Sequence, residues 1–280
     1  MARFATQKWR DSRRRSGANR DGWVAITLGG VSASTGRLLV VVPSRTDPPA
    51  KLGEWLRAAG MELDERYVRA GEGDDELPAT LDGYDGLVVL GGPQSALDDA
   101  DESPELYAAR EVLRRALAAD LPTLAVCLGA QLLADVGGGR VRAGVDGPEV
   151  GALLVAKRDV ADADPLFGPL PMTPDVIQFH HDEISQLPTG ATLLASSPMY
   201  AHQAFRVGQH VYGIQFHIET TPEIVAEWAE RDVVGVAATP FTSEEITERT
   251  TAAHPDIEEV WAPFAARFAD LVRTAARQAA

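Results

Sequence analysis

The chain has 280 residues, 45% of them hydrophobic, which is enough to form a sizeable core in one large α/β domain or in two small domains. The formal net charge of −15 argues against a general nucleic-acid-binding protein, because so acidic a surface repels a phosphate backbone. The single cysteine, Cys127, excludes an intramolecular disulfide framework and any zinc site built from several cysteines.

The N-terminal segment is basic, with eight Arg or Lys in the first 37 residues against Asp11 and Asp21. We predict residues 1–36 to be a disordered, solvated leader, with an arm that binds nucleic acid or lipid as the alternative. The apolar stretch at 24–31 is interrupted by glycines and is much shorter than the roughly 20 residues of a membrane helix. We therefore predict a soluble, cytoplasmic protein that acts on neither nucleic acid nor membrane.

The next part of the chain alternates between strand and helix patterns. Short apolar runs predict strands, and stretches with helical spacing or turn signals predict helices between them. The order is strand 37–43, helix 50–59, strand 86–90, helix 104–119, strand 122–126 and helix 127–134. This order indicates βαβ units in a mostly parallel sheet, whose binding sites lie at the carboxyl ends of the strands. Gly91, Gly92 and Cys127 follow such strand ends and are expected to face one crevice.

The second half of the chain changes character. Short strand patterns separated by Pro and Gly turns predict a more antiparallel region that returns to the sheet. These patterns lie at 151–156, 191–195, 203–207 and 211–216. From about Thr221 the pattern is helical and charged, with a break around Thr239 and Pro240. We expect these helices to pack on the protein's own sheet, with a docking surface for a partner as the alternative.

Cys127 lies at a predicted strand-to-helix turn. The N-terminus of the following helix favours a thiolate, and the turn directs backbone N–H groups at whatever the sulfur attacks. For attack on a carboxamide, Leu128 N–H is one candidate oxyanion donor and Gly92, which allows close backbone approach, is another. A lone cysteine in an apolar run is more often a buried small hydrophobe, but the turn and His217 favour a working thiol.

His217 follows the alternating run at 211–216, and Glu219 comes two residues later, a spacing that places both side chains on one face of an extended chain. A carboxylate that fixes one imidazole nitrogen leaves the other to take a thiol proton, as in covalent acyl transfer. An iron site built from His217, Glu219 and a histidine of the pair His180-His181 is the weaker alternative, since it leaves the cysteine turn unexplained.

Four strings in this order resemble the landmarks of the class I glutamine amidotransferase family, the type with a Cys-His-Glu triad. They are Leu90-Gly-Gly-Pro93, Val126-Cys-Leu-Gly-Ala-Gln-Leu-Leu-Ala134, His180-His-Asp182 and Gly213-Ile-Gln-Phe-His-Ile-Glu219. Their order and separations match the family from about residue 38 to 230. The chain departs from the family's usual residues at Ala125, His181 and Ile218.

The resemblance implies a flavodoxin-like α/β/α sandwich with a mostly parallel central sheet over residues 37–232, followed by a C-terminal helical extension at 233–280. It also implies a role for each motif residue. Cys127 is then the nucleophile, His217 the base and acid, Glu219 the residue that orients it, and Gly92 with Leu128 the oxyanion donors. Gly91, Gln131 and His180 are the implied substrate-binding residues, and neither a metal nor an organic cofactor is required.

Three functions are consistent with these motifs. The first is a glutamine amidotransferase subunit that hydrolyses the amide of L-glutamine and supplies ammonia to a separate acceptor, such as a synthetase subunit. The second is an independent γ-glutamyl hydrolase that acts on a glutamine conjugate with the same triad. The third is a non-catalytic binding module of the same fold, which the intact Cys127, His217 and Glu219 argue against.

Overall fold

A computed structural model describes residues 36–68 and 75–279. Residues 1–35 of the predicted leader therefore lie outside the described residues. The strands are β1 Gly36–Val42, β2 Met61–Tyr67, β3 Gly86–Val89, β4 Thr123–Val126, β5 Arg140–Ala143, β6 Glu149–Leu154, β7 Ala156–Lys157, β8 Asp175–His180, β9 Asp182–Gln186, β10 Thr192–Ser196, β11 Ala204–Val207 and β12 Val211–Ile214. The α-helices are α1 Ala50–Ala58, α2 Glu105–Ala118, α3 Leu128–Val136, α4 Pro222–Arg231, α5 Val233–Ala237 and α6 Ser243–Ala279.

Eight strands form one central sheet in the order β2-β1-β3-β4-β12-β11-β10-β7. In this order, neighbouring strands are parallel from β2 as far as β12. From β12 through β11 and β10 to β7, neighbouring strands are antiparallel. Two small antiparallel sheets, β5–β9 and β6–β8, complete the second half of the chain. The predicted mostly parallel sheet and the more antiparallel second half are both confirmed.

Helices cover both faces of this sheet, because its central strands are apolar on both sides. Alternate residues of β1 belong to different cores: Leu38 and Val40 pack in the core that includes α1 and α6, while Leu39 and Val41 pack in the core that includes α2 and α3. The protein is therefore an α/β/α sandwich, as predicted. This arrangement brings the carboxyl ends of β1, β3, β4 and β12 to one edge.

The C-terminal helix α6 packs into the first of these cores. Trp261 is fully buried, with its ring centroid 5.3 Å from that of Phe216 and 5.2 Å from that of Phe264. Its indole Nε1 donates a hydrogen bond of 2.9 Å to the carbonyl oxygen of Asp175, in β8. The helix thus packs against the segment that leads from β12 to the site described below, as expected for helices that cover their own sheet.

We expect Trp261→Ala to lower the free energy of unfolding by about 3–5 kcal/mol, because it removes a fully buried indole from a tightly packed aromatic cluster. Guanidinium denaturation monitored by circular dichroism measures this change. Trp55→Ala is the matched control, since Trp55 is only partly buried and packs at the edge of the core. Equal, small losses in the two variants would show that α6 contributes little to the stability of the domain.

Among residues 36–68 and 75–279, none of the helices combines the length and the apolar character needed to cross a membrane.

Candidate active site

Cys127 occupies a sharp turn between β4 and α3. Its backbone has φ 50° and ψ −112°, a strained conformation for a residue with a side chain. The turn is fixed on the strand side by a hydrogen bond of 2.8 Å from Cys127 N to Ile214 O. On the helix side, a Cβ added to Gly129 would clash with the carbonyl oxygen of Val89, so only glycine lets α3 lie this close to β3. Together these contacts hold the sulfur at the edge of the sheet.

His217 and Glu219 lie on the extended segment that follows β12. The backbone of His217 pairs with β8, because His217 N donates to Ile177 O at 2.8 Å and Ile177 N donates to His217 O at 3.2 Å. His217 Nδ1 lies 2.6 Å from Glu219 Oε1, and Ile218 N donates to Glu219 Oε2 at 2.9 Å. The carboxylate thereby fixes Nδ1 as a donor and leaves Nε2 as the nitrogen that can exchange a proton.

The pKa of His217 is determined by opposing effects. Burial is the largest and lowers the pKa, since it disfavours the charged imidazolium. The Glu219 carboxylate and the Cys127 sulfur act in the other direction and together outweigh it, so the pKa of His217 is raised well above its ordinary value. The imidazole therefore holds a proton more tightly than a solvated histidine.

A cavity of about 470 Å³ opens at this edge of the sheet, with the Cys127 and His217 side chains in its wall. Other sequence-predicted residues also line it, namely Gly92, Leu128, Gln131 and His180. Gly91 lies directly behind them: a Cβ added there would come within 3.0 Å of His217 Cε1 and 3.5 Å of Cys127 Cβ. A side chain at position 91 would therefore press on the imidazole.

Gln131 and His180 are both held by other protein groups. Gln131 Nε2 donates to Asp182 O at 3.3 Å and to Gln215 Oε1 at 3.2 Å. His180 Nδ1 lies 2.8 Å from Asp182 O, and its Nε2 lies 3.1 Å from Glu149 Oε2. Each ring nitrogen of His180 therefore already lies within hydrogen-bond distance of a protein oxygen, and a substrate contact through either nitrogen would have to displace that oxygen.

The family model described as glutamine amidotransferase class-I matches residues 53–232 of the sequence. The chain belongs to this family. The matched segment runs from α1 to α4 and contains Cys127, His217 and Glu219, while α6 lies outside it. A solved glutamine amidotransferase structure from Thermotoga maritima superposes with a TM-score of 0.73 and 25% identity, covering 84% of this chain and 99% of that one.

Relatives within the family differ in the activity that their names describe. The chain is 35% identical over 155 residues to γ-glutamyl peptidase 3 of Arabidopsis thaliana, a match that covers 54% of this chain and 61% of the relative. It is also 35% identical over 148 residues to a subunit of the glutamine-hydrolysing GMP synthase of Haloarcula marismortui, covering 52% of this chain and 70% of the relative. The chain thus spans less than two thirds of the peptidase.

The structure of this family member adds three residues to those expected from the sequence. Gln215 Nε2 lies 3.7 Å from Cys127 Sγ, and the ring centroid of Trp228 lies 4.7 Å from that of His217. Asp47, in the loop after β1, is the third and lines the cavity. Of these three, Gln215 could have been predicted from the sequence. It stands two residues before His217 in an extended segment, a spacing that places both side chains on one face.

The weaker iron-site interpretation finds no support in the part of the chain that the structure describes, where no group of three His, Cys, Asp or Glu side chains is arranged to hold a metal ion.

Proposed function

We propose that this chain hydrolyses the side-chain amide of L-glutamine, or of a γ-glutamyl compound, through a thioester on Cys127, and supplies the released ammonia to a separate acceptor enzyme. The observation that carries the proposal is the contact of 2.6 Å between His217 Nδ1 and Glu219 Oε1, together with the cavity that His217 and Cys127 line. These are the parts that thiol-dependent acyl transfer requires.

In the proposed reaction, Cys127 Sγ gives its proton to His217 Nε2 and attacks the amide carbon. The tetrahedral oxyanion is stabilised by backbone N–H groups at Gly92 and Leu128, two residues that line the same cavity as Cys127. The protonated His217 then delivers its proton to the leaving nitrogen as the C–N bond breaks, which leaves a γ-glutamyl thioester. Water, deprotonated by His217, hydrolyses the thioester and regenerates the thiol.

The second candidate is an independent γ-glutamyl hydrolase, favoured by the similarity to the Arabidopsis γ-glutamyl peptidase. The partner distinguishes the two functions. In the first, a synthetase subunit co-purifies with the chain and accepts its ammonia, as the similarity to the GMP synthase subunit suggests. In the second, the isolated protein releases amines from γ-glutamyl amides at full rate. Parallel assays of ammonia release from L-glutamine and of amine release from a γ-glutamyl alkylamide test these possibilities.

We expect Glu219→Gln to reduce turnover by about 10- to 1,000-fold, a smaller loss than removal of the nucleophile, because the change affects orientation and charge but no bond-forming atom. Glu219 also raises the pKa of His217, whose protonated form delivers a proton to the leaving nitrogen. Without this carboxylate the imidazolium loses its proton at lower pH, so the alkaline limb of the pH–rate profile should move to lower pH in the variant. Steady-state rates measured across the pH range report both effects.

Glu149→Gln provides the matched control for Glu219→Gln, because Glu149 is another buried carboxylate paired with a histidine, His180. Its replacement should leave the alkaline limb where it is. An alkaline limb that stays in place in Glu219→Gln, or shifts equally in the two variants, would remove Glu219 from its proposed role.

A further inference from the structure

Asp47 is a second carboxyl group in the active-site cavity, and the reaction described above does not use it. It follows β1 and is only 7% exposed. Its backbone N donates to Ser44 O at 3.1 Å, and its Oδ2 accepts a hydrogen bond of 2.7 Å from Thr46 Oγ1. A turn and a neighbouring side chain thus fix the carboxyl group in the cavity wall.

The Asp47 carboxyl group lies close to the reacting groups. The position of a Cβ built on Gly91 is 3.6 Å from Asp47 Oδ1, 3.0 Å from His217 Cε1 and 3.5 Å from Cys127 Cβ. Three groups therefore surround one point. Cε1 is the carbon between the two ring nitrogens of His217. Because Nδ1 contacts Glu219, Nε2 is the nitrogen that can protonate a leaving group. Asp47 and His217 also line the same cavity, so a leaving group that takes its proton from His217 has the Asp47 carboxyl group nearby.

Two hydrogen bonds hold the chain on either side of Asp47 in place, one to Glu219 of the triad and one to Trp228, which packs beside His217. Lys51 N, at the start of α1, donates to Glu219 O at 2.9 Å. Trp228 Nε1, on α4, donates to Thr46 O at 3.0 Å, and the indole ring packs beside His217. The carboxyl group, the indole and the imidazole are therefore held in a fixed arrangement, which is what a specificity subsite requires.

An uncompensated buried carboxylate is costly. Burial, the largest effect, raises the pKa of Asp47, while the hydrogen bond from Thr46 and the charge of His217 act in the opposite direction. A cationic ligand would offset this desolvation cost by pairing with the carboxylate. Arg231, the arginine among the described residues that line the cavity, forms an ion pair of 2.6 Å with Glu227.

We propose that Asp47, with Thr46 and Trp228, forms a leaving-group subsite for amines that carry a second, protonated amino group, so that the substrates are γ-glutamyl amides of diamines. The inference rests on the proposed amide-hydrolysing function and specifies its substrate class. The amide nitrogen takes one proton from His217 as its bond to carbon breaks, and the diamine leaves. The distal ammonium pairs with Asp47, and the face of Trp228 provides a cation–π contact.

Selectivity for amides of diamines belongs with the second candidate function, independent hydrolysis of γ-glutamyl amides. Ammonia offers no second cationic group for Asp47 to recognise.

The test compares two amides of equal length: the γ-glutamyl monoamide of a four-carbon diamine, which is cationic at its far end, and γ-glutamyl pentylamide, which is neutral there. We expect the wild-type protein to prefer the cationic amide in kcat/KM. In Asp47→Asn, which keeps the shape and removes the charge, the ratio of the two kcat/KM values should fall by about ten- to a hundredfold. Asp256→Asn, which removes the same charge from an exposed position on α6, is the control and should keep the wild-type ratio.

A wild-type protein without preference for the cationic amide, or an unchanged ratio in Asp47→Asn, would overturn the subsite. Calorimetric binding of both amides to the Cys127→Ala protein separates recognition from chemistry. Preferential binding of the cationic amide that disappears in the Asp47→Asn, Cys127→Ala double variant supports the subsite whether or not the wild-type protein turns substrate over. Turnover that persists in Cys127→Ala would instead refute the proposed thioester mechanism.

Discussion

Replacement of Cys127 by alanine is expected to reduce hydrolysis of every γ-glutamyl amide by about 10⁴-fold or more, because no other group takes over the covalent step. In the proposed mechanism the sulfur is the atom that forms the thioester, and neither His217 nor Glu219 can replace it as the nucleophile. The rate of ammonia release from L-glutamine, or of amine release from γ-glutamyl pentylamide, measures the loss. If the variant and the wild-type protein unfold at the same denaturant concentration, the variant has retained the fold.

Comparison of Cys127→Ala with Cys127→Gly tests whether the backbone at position 127 is strained. A side chain at φ 50° and ψ −112° is strained, whereas glycine adopts such a conformation readily. The glycine variant should therefore be as inactive as the alanine variant but more stable by about 1 kcal/mol, in spite of the greater chain entropy that glycine loses on folding. An alanine variant as stable as the glycine variant would mean that the strain does not exceed the extra chain entropy that glycine loses on folding. Substantial turnover in either variant would refute the role of the cysteine.

Replacement of His217 by alanine is expected to reduce turnover by about 10⁴-fold or more, because the same imidazole removes the thiol proton and protonates the leaving nitrogen. The change also leaves the Glu219 carboxylate buried without its partner, which should cost about 3 kcal/mol of unfolding free energy. Steady-state kinetics and chemical denaturation measure these two effects separately.

Addition of Glu219→Gln to His217→Ala supplies the control, since it removes the buried charge that the single variant leaves unpaired. The double variant should recover part of the lost stability and none of the lost activity. Stability that fails to recover would indicate that the imidazole contributes by packing against Trp228, not by pairing with Glu219.

The contribution of His217 to stability should depend on pH in a defined direction. Its pKa is raised in the folded protein, so folding binds a proton that the unfolded chain holds less tightly. The contribution is therefore complete below the unfolded pKa of about 6.5 and is lost as the pH rises through the raised, folded pKa. The difference in unfolding free energy between the wild-type protein and His217→Ala should accordingly be larger in mild acid than in alkali.

The central sheet could be predicted from the sequence because its buried strands have a strong local signal. The apolar run of β1 is flanked by Gly36 and Pro43, and the run of β4 leads directly into Cys127. The edge strand β2 was not predicted, since its sequence Met61-Glu-Leu-Asp-Glu-Arg-Tyr67 is mostly charged. It pairs with β1 along one side only, and charged side chains suit such an edge.

The strands β5, β8 and β9 were also missed. They are short and pair with partners distant in the sequence, as β6 does with β8, so no neighbouring hairpin signal marks them. Tertiary pairing, not local pattern, defines these strands.

The candidate site shows the same division between local and distant signals. Cys127, His217 and Glu219 belong to short motifs, and the fold places them together as expected. Asp47 and Trp228 carry no motif of their own. They reach His217 only because β1 and α4 meet beside the segment that follows β12, and the hydrogen bond between Trp228 and Thr46 spans 182 positions of the chain. A single sequence offers no pattern that joins such residues.

The covalent intermediate provides the most direct test of the proposed function. The wild-type protein would be mixed with L-glutamine or γ-glutamyl pentylamide, quenched in acid within milliseconds to seconds, and digested for mass spectrometry. We predict a γ-glutamyl group on the peptide that contains Cys127, absent from the Cys127→Ala protein and removed when the thioester is cleaved with hydroxylamine. Turnover without any adduct on Cys127, or an adduct on another residue that persists in Cys127→Ala, would contradict the proposed mechanism.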